Sequence, residues 1–367
     1  MKEWIYVRAG DFIEFNPRLN IKKGITATKI SMDKLQPFSK KILGAESAVF
    51  TGGAKFRNGD TIMARITPCL ENGKTAFVDI LNDGEIGFGS TEFIVLRARK
   101  GISDPQFIYY LATSPFFRKQ AIKSMVGSSG RQRVQQNVLD NLELKVPDIV
   151  TQEKIGYILS CFDKKIAINK QINDNLQQQS VILFSSFIAQ IVCPSVSLSS
   201  ICNIKYGKNL PTKKLENVGY NVFGGNGIIG KYSQYLYDKP QILVSCRGAA
   251  SGNILVSYPK SFVTNNSLVL ELNDYRYFEF MKQYLLLNPL YSYATGSAQP
   301  QITVENIKDV LVPYPEFSEI SKLTFLLELT SKKCYQTIVE NEKLVSLRNE
   351  LLPKLMAGRI DVSNIYL

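Results

Sequence analysis

Histidine is absent from the 367 residues, which removes the side chain most often used as general base, nucleophile partner and metal ligand. Many hydrolase and metalloenzyme mechanisms are thereby closed. Cysteine is sparse: Cys69, Cys161, Cys193, Cys202, Cys246 and Cys334 are scattered with no Cys-x-x-Cys pair. That argues against a zinc knuckle and a disulfide framework, and buried free thiols are expected. No carboxylate cluster stands at metal-binding spacing. The first ten residues, Met1-Lys-Glu-Trp-Ile-Tyr-Val-Arg-Ala-Gly10, hold no apolar signal core, and the most apolar later stretch, 181–193, is too short and serine-broken to span a bilayer. A cytoplasmic chain is expected.

What is present suffices for two or three modules, since this length and a 45% hydrophobic content exclude a mainly disordered chain. The net charge of +12 is unevenly placed. Residues 1–147 carry 22 Lys and Arg against 14 Asp and Glu, and residues 193–313 carry 11 against 7. Residues 148–192 (4 against 4) and 314–367 (7 against 7) are neutral. Two polyanion-binding modules on a neutral frame fit that distribution.

The chain repeats itself. Val134-Gln-Gln-Asn-Val-Leu-Asp-Asn-Leu-Glu-Leu-Lys-Val-Pro147 is echoed by Ile302-Thr-Val-Glu-Asn-Ile-Lys-Asp-Val-Leu-Val-Pro313, each after a Gly-Ser pair, Gly127-Ser128 and Gly296-Ser297. One shift of 168 aligns Leu139 with Ile307 and Leu144 with Val312, then Ile155 with Leu323, Asn173 with Asn341, and Phe187 with Leu355.

The later part of each copy predicts a long helix. Over 151–190, apolar residues recur near heptad spacing at Ile155, Leu159, Phe162, Ile166, Ile172, Leu176, Leu183 and Phe187, with Thr151 as N-cap and Gly156 the one interior glycine. Over 318–357 the stripe is Leu323, Leu327, Ile338, Leu344, Leu347, Leu351 and Leu355, with Ser318 as cap, Pro353 kinking the last turn and Gly358 as stop. Rods of about 60 Å exceed the width of a small domain and must pair. Asn169 and Asn341 on the seam weaken the pairing and fix its register. The alternative is that each helix packs only on its own domain.

Ahead of each helix lies a mixed α/β block. Strand-like runs at 61–66, 75–80 and 92–96, punctuated by Asn58-Gly59, Asn72-Gly73 and Asp83-Gly84 turns, precede a helical stretch at 105–126. The second block has the same order, with runs at 241–245, 253–257 and 267–271 before a helix near 277–287.

In the first block, Gly59-Asp60, Arg65-Ile-Thr-Pro-Cys-Leu-Glu-Asn-Gly-Lys74 and Gly87-Phe-Gly-Ser-Thr-Glu-Phe-Ile-Val95 resemble one variety of target recognition domain found in type I restriction-modification specificity subunits. Tyr206-Gly207-Lys208, Phe223-Gly-Gly-Asn-Gly-Ile-Ile-Gly230, Arg247-Gly248 and Thr264-Asn-Asn-Ser-Leu-Val-Leu270 resemble another, and the likeness covers nearly the whole chain. It implies an α+β fold: two mixed α/β recognition domains (1–147 and 193–315) joined by two long helices (148–192 and 316–367) in an antiparallel coiled coil, with an approximate two-fold repeat. Each domain is then expected to read one half of a split, asymmetric double-stranded DNA target. The helices act as a ruler and dock two modification (methyltransferase) subunits. The chain itself is non-catalytic, S-adenosylmethionine belongs to those partners, and whether a restriction subunit joins is left open.

Three strings imitate enzymes. Phe223-Gly-Gly-Asn-Gly227 and Asn288-Pro-Leu-Tyr291 suggest a self-contained adenine-N6 methyltransferase, but the glycines run into Ile228-Ile-Gly-Lys-Tyr232, a poor helix start. Gly225-Asn-Gly-Ile-Ile-Gly-Lys231 fits a phosphate-binding loop except that Tyr232 stands where magnesium binding needs Ser or Thr. A glycine-rich hairpin is the expectation. A coiled-coil scaffold whose basic domains serve only solubility is the third class.

Affinity for DNA comes mostly from Lys and Arg on phosphates, and sequence choice from Arg, Asn and Gln on base edges. The candidates are Lys22, Lys23, Arg65, Lys74, Arg131, Gln132 and Arg133 in the first block, and Lys208, Asn226, Lys231, Arg247, Gln299 and Gln301 in the second. Framework roles suit Gly224, Gly225, Gly227, Gly248 and Thr264-Asn-Asn266. On the helices, Tyr157, Lys164, Gln171, Asn175, Glu328, Tyr335, Glu342 and Arg348 are candidates for partner docking.

Overall fold

The computed structural model describes residues 4–128, 130–296 and 299–365, so Ser297 of the repeated Gly-Ser pair lies outside the described residues. The chain forms two compact units: Met1–Ile168 with Asn341–Leu367, and Asn169–Glu340. Each long helix is divided between the two units, α5 after Ile168 and α9 after Glu340.

The first unit runs β1 (Ile5–Arg8), α1 (Ala9–Phe12), β2 (Ile13–Phe15), β3 (Thr26–Ile30), β4 (Glu46–Val49), β5 (Lys55–Phe56), β6 (Thr61–Ala64), β7 (Thr75–Phe77), β8 (Gly87–Gly89), β9 (Phe93–Ala98), α2 (Pro105–Thr113), α3 (Pro115–Lys123), α4 (Gln136–Asp140), β10 (Glu143–Val146) and the start of α5 (Ile149–Ile188). Its sheets have the orders β2-β9-β6-β7, β4-β3-β8-β5 and β1-β10. The three runs expected as strands are β6, β7 and β9. The expected single helix is two, because Asp104 and Ser114 each cap a new start with proline next in line, accepting from the Phe107 N–H at 2.8 Å and the Phe117 N–H at 3.3 Å.

The second unit completes α5 and continues through β11 (Ser195–Ser197), α6 (Leu198–Ile201), β12 (Cys202–Tyr206), β13 (Tyr220–Gly224), β14 (Gly227–Tyr232), β15 (Ile242–Ser245), β16 (Ile254–Val256), β17 (Phe262–Val263), β18 (Ser267–Leu272), α7 (Phe278–Leu287), α8 (Val304–Ile307), β19 (Leu311–Pro313) and the start of α9 (Phe317–Met356). Its sheets, β12-β18-β15-β16, β14-β13-β17 and β11-β19, follow the first unit's plan, except that among the described residues the second sheet has three strands where the first unit's has four. Even the parallel pair recurs: β3 with β8, and β13 with β17.

The central sheet of each unit is buried on both faces, and strand alternation assigns its side chains. In the first unit Met63, Ile94 and Leu96 join the helices in one cluster, while Ile62, Phe93 and Val95 meet Ile30, Leu35 and Phe56 in another. In the second, Ile242, Val244, Leu268 and Leu270 face the helices, and Leu243 and Val269 meet Phe223 and Val263.

The helices close each core. Ile155 and Leu159 of α5 pack with Leu352 and Leu355 of α9 in the first unit, and Phe184 packs with Ile320, Leu323 and Leu327 in the second. Partners run in opposite directions within each unit: Asp163 meets Arg348 and Ile166 meets Asn341 in one, and Asn169 meets Glu340 and Ser180 meets Thr330 in the other. The pairing is antiparallel.

The seam differs from the apolar stripe in its middle. It passes through Asn169, Asn173 and Ser180, all buried, whereas Leu183 and Leu347 are 41% and 48% exposed. Strict 3–4 spacing from Leu159 leads to these polar positions, and α9 follows at the same shift of 168: Thr337, Asn341 and Arg348. Inside the second unit, Asn173 accepts a hydrogen bond from Thr337 and donates to the Cys334 carbonyl at 3.3 Å.

The helix ends also shift. Asp148, rather than Thr151, caps α5, accepting from the Thr151 N–H at 3.1 Å. Aspartate serves as well as threonine at an N-cap, and here it sits a turn earlier. Helix α9 starts at Phe317, ahead of Ser318, with the Glu316 N–H donating to the Glu319 carboxylate at 3.1 Å. It passes through Pro353 and stops at Gly358 (φ +67), where the Gly358 and Arg359 N–H groups donate to the Leu355 and Lys354 carbonyls. Gly156 lies where α5 meets α2: a Cβ there comes within 2.8 Å of Gln106. Of the cysteines, Cys202 and Cys246 are buried but Cys161 is exposed, so the thiols are not uniformly core residues.

Asp60, Arg97 and Lys40 are charged groups held inside the first unit. Asp60, after the Asn58-Gly59 turn, takes a bidentate ion pair from Arg97 of β9, both bonds 2.7 Å, with the side chains 1% and 10% exposed. Lys40 lies over the rings of Phe77, Tyr109 and Tyr110, 5.1 to 5.4 Å from their centroids, and donates to the Gln106 side chain. Burial pulls its ammonium down from 10.5 to about 8.

Asp60→Ala leaves Arg97 buried and unpaired and is expected to cost about 3–5 kcal/mol in urea unfolding; a loss below about 1 kcal/mol contradicts that role. For Lys40, the unfolded chain holds more protons than the folded one between about pH 8 and 10.5. Its contribution to stability therefore rises with pH across that window, and below it the cost of burying the charge is fully present. Stability of the native chain relative to Lys40→Met is expected to increase from pH 8 to pH 10, measured before the tyrosines of the unfolded chain ionise. A flat difference refutes the shift.

Candidate nucleic-acid interface

The same loop is pinned to the end of the same strand in both units. In the first, Val134 N–H donates to the Arg65 carbonyl (2.9 Å) and Thr67 N–H to the Gln132 carbonyl (3.0 Å), while Arg133 and Val126 exchange backbone hydrogen bonds. In the second, Ile302 N–H donates to the Cys246 carbonyl (3.1 Å) and Gly248 N–H to the Pro300 carbonyl (3.0 Å), while Gln301 and Thr295 make the matching exchange. The shift of 168 thus carries 132, 133 and 134 onto 300, 301 and 302, and residues 65 and 66 occupy the places of 246 and 247. This loop gathers Arg65, Arg131, Gln132 and Arg133 in one unit and Arg247, Gln299 and Gln301 in the other.

The gathered side chains differ in freedom. Arg131 is exposed and Gln132 half-buried. Arg133 is exposed but forms a bidentate pair with Glu92, with bonds of 2.6 to 3.0 Å. Arg65 is half-buried, its Nη2 donating to the Val134 carbonyl at 3.4 Å, and its Nε is buried with no partner among the described residues. Lys22 and Lys23 are exposed in the turn before β3. Lys74 is turned inward, its Nζ donating to the Met32 carbonyl at 2.9 Å. The partners of Arg133 and Lys74 are about forty residues distant in sequence, which is why sequence left both cations looking free.

In the second unit the imitation motifs resolve into framework. Residues 220–232 are a hairpin, β13 paired with β14, with Gly225-Asn226 as its two-residue turn and Gly224 opposite Gly227 (φ +110). No helix follows the glycines, so neither a phosphate-binding loop nor a methyl-donor turn forms. Asn288 caps α7 by donating to the Tyr284 carbonyl at 2.9 Å, and Tyr291 donates to Asn253 at 3.1 Å.

The hairpin is tied to its neighbours by Ser245 donating to the Gly225 carbonyl, Ser267 to the Gly224 carbonyl (3.2 Å) and Thr264 N–H to the Phe223 carbonyl (2.8 Å). Lys208 N–H reaches the Val263 carbonyl (2.9 Å), and Cys246 N–H the Asn266 carbonyl (3.1 Å). These bonds bring the exposed Lys208, Asn226, Arg247 and Gln301 onto one connected set of loops, with exposed Gln299 alongside. Lys231 stands farther along β14, half-buried opposite Asn221.

On the helices, Tyr157, Lys164, Gln171, Asn175, Glu328 and Glu342 are exposed. Tyr335 instead packs on Tyr258, ring centroids 5.4 Å apart. Arg348 faces the seam, 12% exposed and paired with Asp163, so it is not on an outward face. Among the described residues no group of three His, Cys, Asp or Glu side chains is placed to hold a metal ion, and no helix is long and apolar enough to cross a membrane.

The type I restriction modification DNA specificity domain matches residues 1–178 and 194–325, one match on each repeat. The EcoAI type I restriction enzyme specificity subunit of Escherichia coli is 31% identical over 159 residues, 41% of this chain and 26% of that one. That match spans about a quarter of the relative's length. The MjaVIII specificity subunit of Methanocaldococcus jannaschii is 22% identical across 99% of this chain and 94% of its own. The crystal structure of a type I restriction-modification system S subunit from M. genitalium superposes with a TM-score of 0.61 at 20% identity, covering 96% of each chain, a likeness of fold. With both repeats matched over most of their length, the chain belongs to the type I restriction modification DNA specificity family.

Proposed function

We propose that this chain is the non-catalytic, sequence-reading subunit of a DNA-modifying complex in the cytoplasm. The domains at 1–147 and 193–315 each read one half of a split double-stranded DNA target. The observation that carries this reading is the loop repeated at the end of β6 and of β15, which offers cations and amides to a ligand in both units. Such side chains pair with base edges, while flanking Lys and Arg neutralise phosphates.

The equivalent positions differ: Arg131 against Gln299, Arg133 against Gln301 and Ile66 against Arg247. Two unlike readers call for two unlike half-sites, hence an asymmetric target. The paired helices set the spacing between half-sites and dock two modification subunits that bring S-adenosylmethionine; a restriction subunit is a further partner of such an assembly. Docking falls on exposed helix faces that recur at the 168 shift, with Tyr157 on α5 and Phe325 on α9, 48% and 59% exposed.

Methylation mapping in cells carrying the chain and its modification subunits is expected to give one bipartite, asymmetric motif. Gln301→Ala is expected to lose about 1–3 kcal/mol of discrimination at one base pair of the second half-site. Lys208→Ala is expected to weaken binding to all sequences and reduce the slope of log K against log salt by about 1. Methyl-donor binding by the isolated chain, or a footprint indifferent to sequence, contradicts the reading.

A further inference from the structure

Arg133 of the reading loop and Glu92, the residue before β9, are each held by their backbone. Arg133 exchanges hydrogen bonds with Val126 at 2.9 and 3.0 Å. The Glu92 N–H donates to the Ser90 hydroxyl (3.1 Å), and its carbonyl accepts from the Arg65 N–H (2.9 Å). The next residue, Phe93, opens β9 and is buried. Between these two fixed points runs the ion pair: Arg133 Nε donates to both Glu92 carboxylate oxygens at 3.0 Å, and Nη2 donates to Oε1 at 2.6 Å.

A guanidinium carries five N–H donors in a rigid fork. Glu92 occupies the side edge, made of Nε and one hydrogen of Nη2. The end edge, made of Nη1 and the other Nη2 hydrogen, has no hydrogen-bond partner among the described residues. The arginine is the outer member of the pair, its side chain 45% exposed against 23% for Glu92. Two parallel donors on that edge match the O6 and N7 acceptors of guanine in the major groove. The pair is a poor phosphate contact, because the carboxylate cancels the charge that would attract one. What the pairing supplies is direction: the fork is oriented in advance, so docking it costs less conformational freedom.

The second unit has amides at both places. Its Cys246 N–H donates to the Asn266 carbonyl (3.1 Å) as the Arg65 N–H does to that of Glu92, and Gln301 is bridged to Arg247 as Arg133 is to Ile66. Asn266 and Gln301 are both exposed. An amide suits adenine where arginine suits guanine. Being uncharged, Gln301 needs no carboxylate to neutralise it, and the place of Glu92 holds none. The geometry points to Glu92 as the positioning residue of the first reader: it aims the open edge of Arg133 at one guanine of the first half-site. This inference rests on the DNA-reading function proposed above.

The test uses the complex assembled with its modification subunits and target duplexes in which 7-deazaguanine, which lacks the N7 acceptor, replaces guanine at successive positions of the first half-site. At one position the replacement is expected to weaken binding about tenfold, and in Arg133→Ala the same replacement should cost nothing further. A guanine contact made by the modification subunits gives a different result, since its effect persists in Arg133→Ala. Arg133→Lys, which keeps the charge without the fork, should match Arg133→Ala at that position while the footprint over the second half-site persists. Glu92→Ala should lower discrimination at the same base pair, yet tighten binding to unrelated DNA and steepen its salt dependence, because it releases a cation to the phosphates. Unchanged discrimination in Glu92→Ala, or weaker binding to target and unrelated DNA alike, overturns the positioning role. A sequence-specific footprint in which no 7-deazaguanine effect vanishes with Arg133→Ala overturns the guanine contact and leaves the reading function intact. Absence of any sequence-specific footprint overturns the reading function and this inference together.

Discussion

The pairing of α5 with α9 is the constraint on which the rest of this molecule depends. Each unit's core is incomplete without segments of both helices: Ile155 and Leu159 need Leu352 and Leu355, and Phe184 needs Leu323 and Leu327. Burying a large apolar side chain contributes roughly 1.5–3 kcal/mol. The sheets that carry the candidate reading loops are thus anchored, through β6, β9, β15 and β18, to the same two helices that the proposal makes a ruler.

The middle of the seam gives up some of that apolar stabilisation. Asn169, Asn173, Ser180 and Thr337 are buried, and hydrogen bonds satisfy polar groups where a dry seam would carry leucine. The ion pair of Arg348 with Asp163, whose carboxylate also accepts from Tyr110, does the same nearer one end. A polar seam position tolerates few registers, because sliding by one turn buries these groups without partners. A frame meant to fix a distance gains from that intolerance.

Much of this was legible in the sequence. The shift of 168 found the repeat, period-two runs found the buried strands of both central sheets, and the Asn-Gly turns stand where expected. Less legible were β3, β4, β5 and β8, short strands that owe their pairing to distant partners. The seam's register was obscured because Leu183 and Leu347 look like core residues, yet a heptad count passes them by for Ser180 and Arg348. In the candidate site, composition singled out Arg65, Arg131, Arg247 and Gln301. It gave no hint that Glu92 neutralises Arg133 or that Met32 holds Lys74, since those relations exist only after folding.

The central claim, that two readers are held at a set separation by paired helices, is tested most directly by lengthening the frame. Insertion of one heptad at matching points of α5 and α9 adds about 10 Å of helix, close to three base pairs of DNA. The account predicts that methylation mapping will recover both half-sites unchanged with a longer spacer between them. An unchanged spacer in an active, folded complex contradicts it.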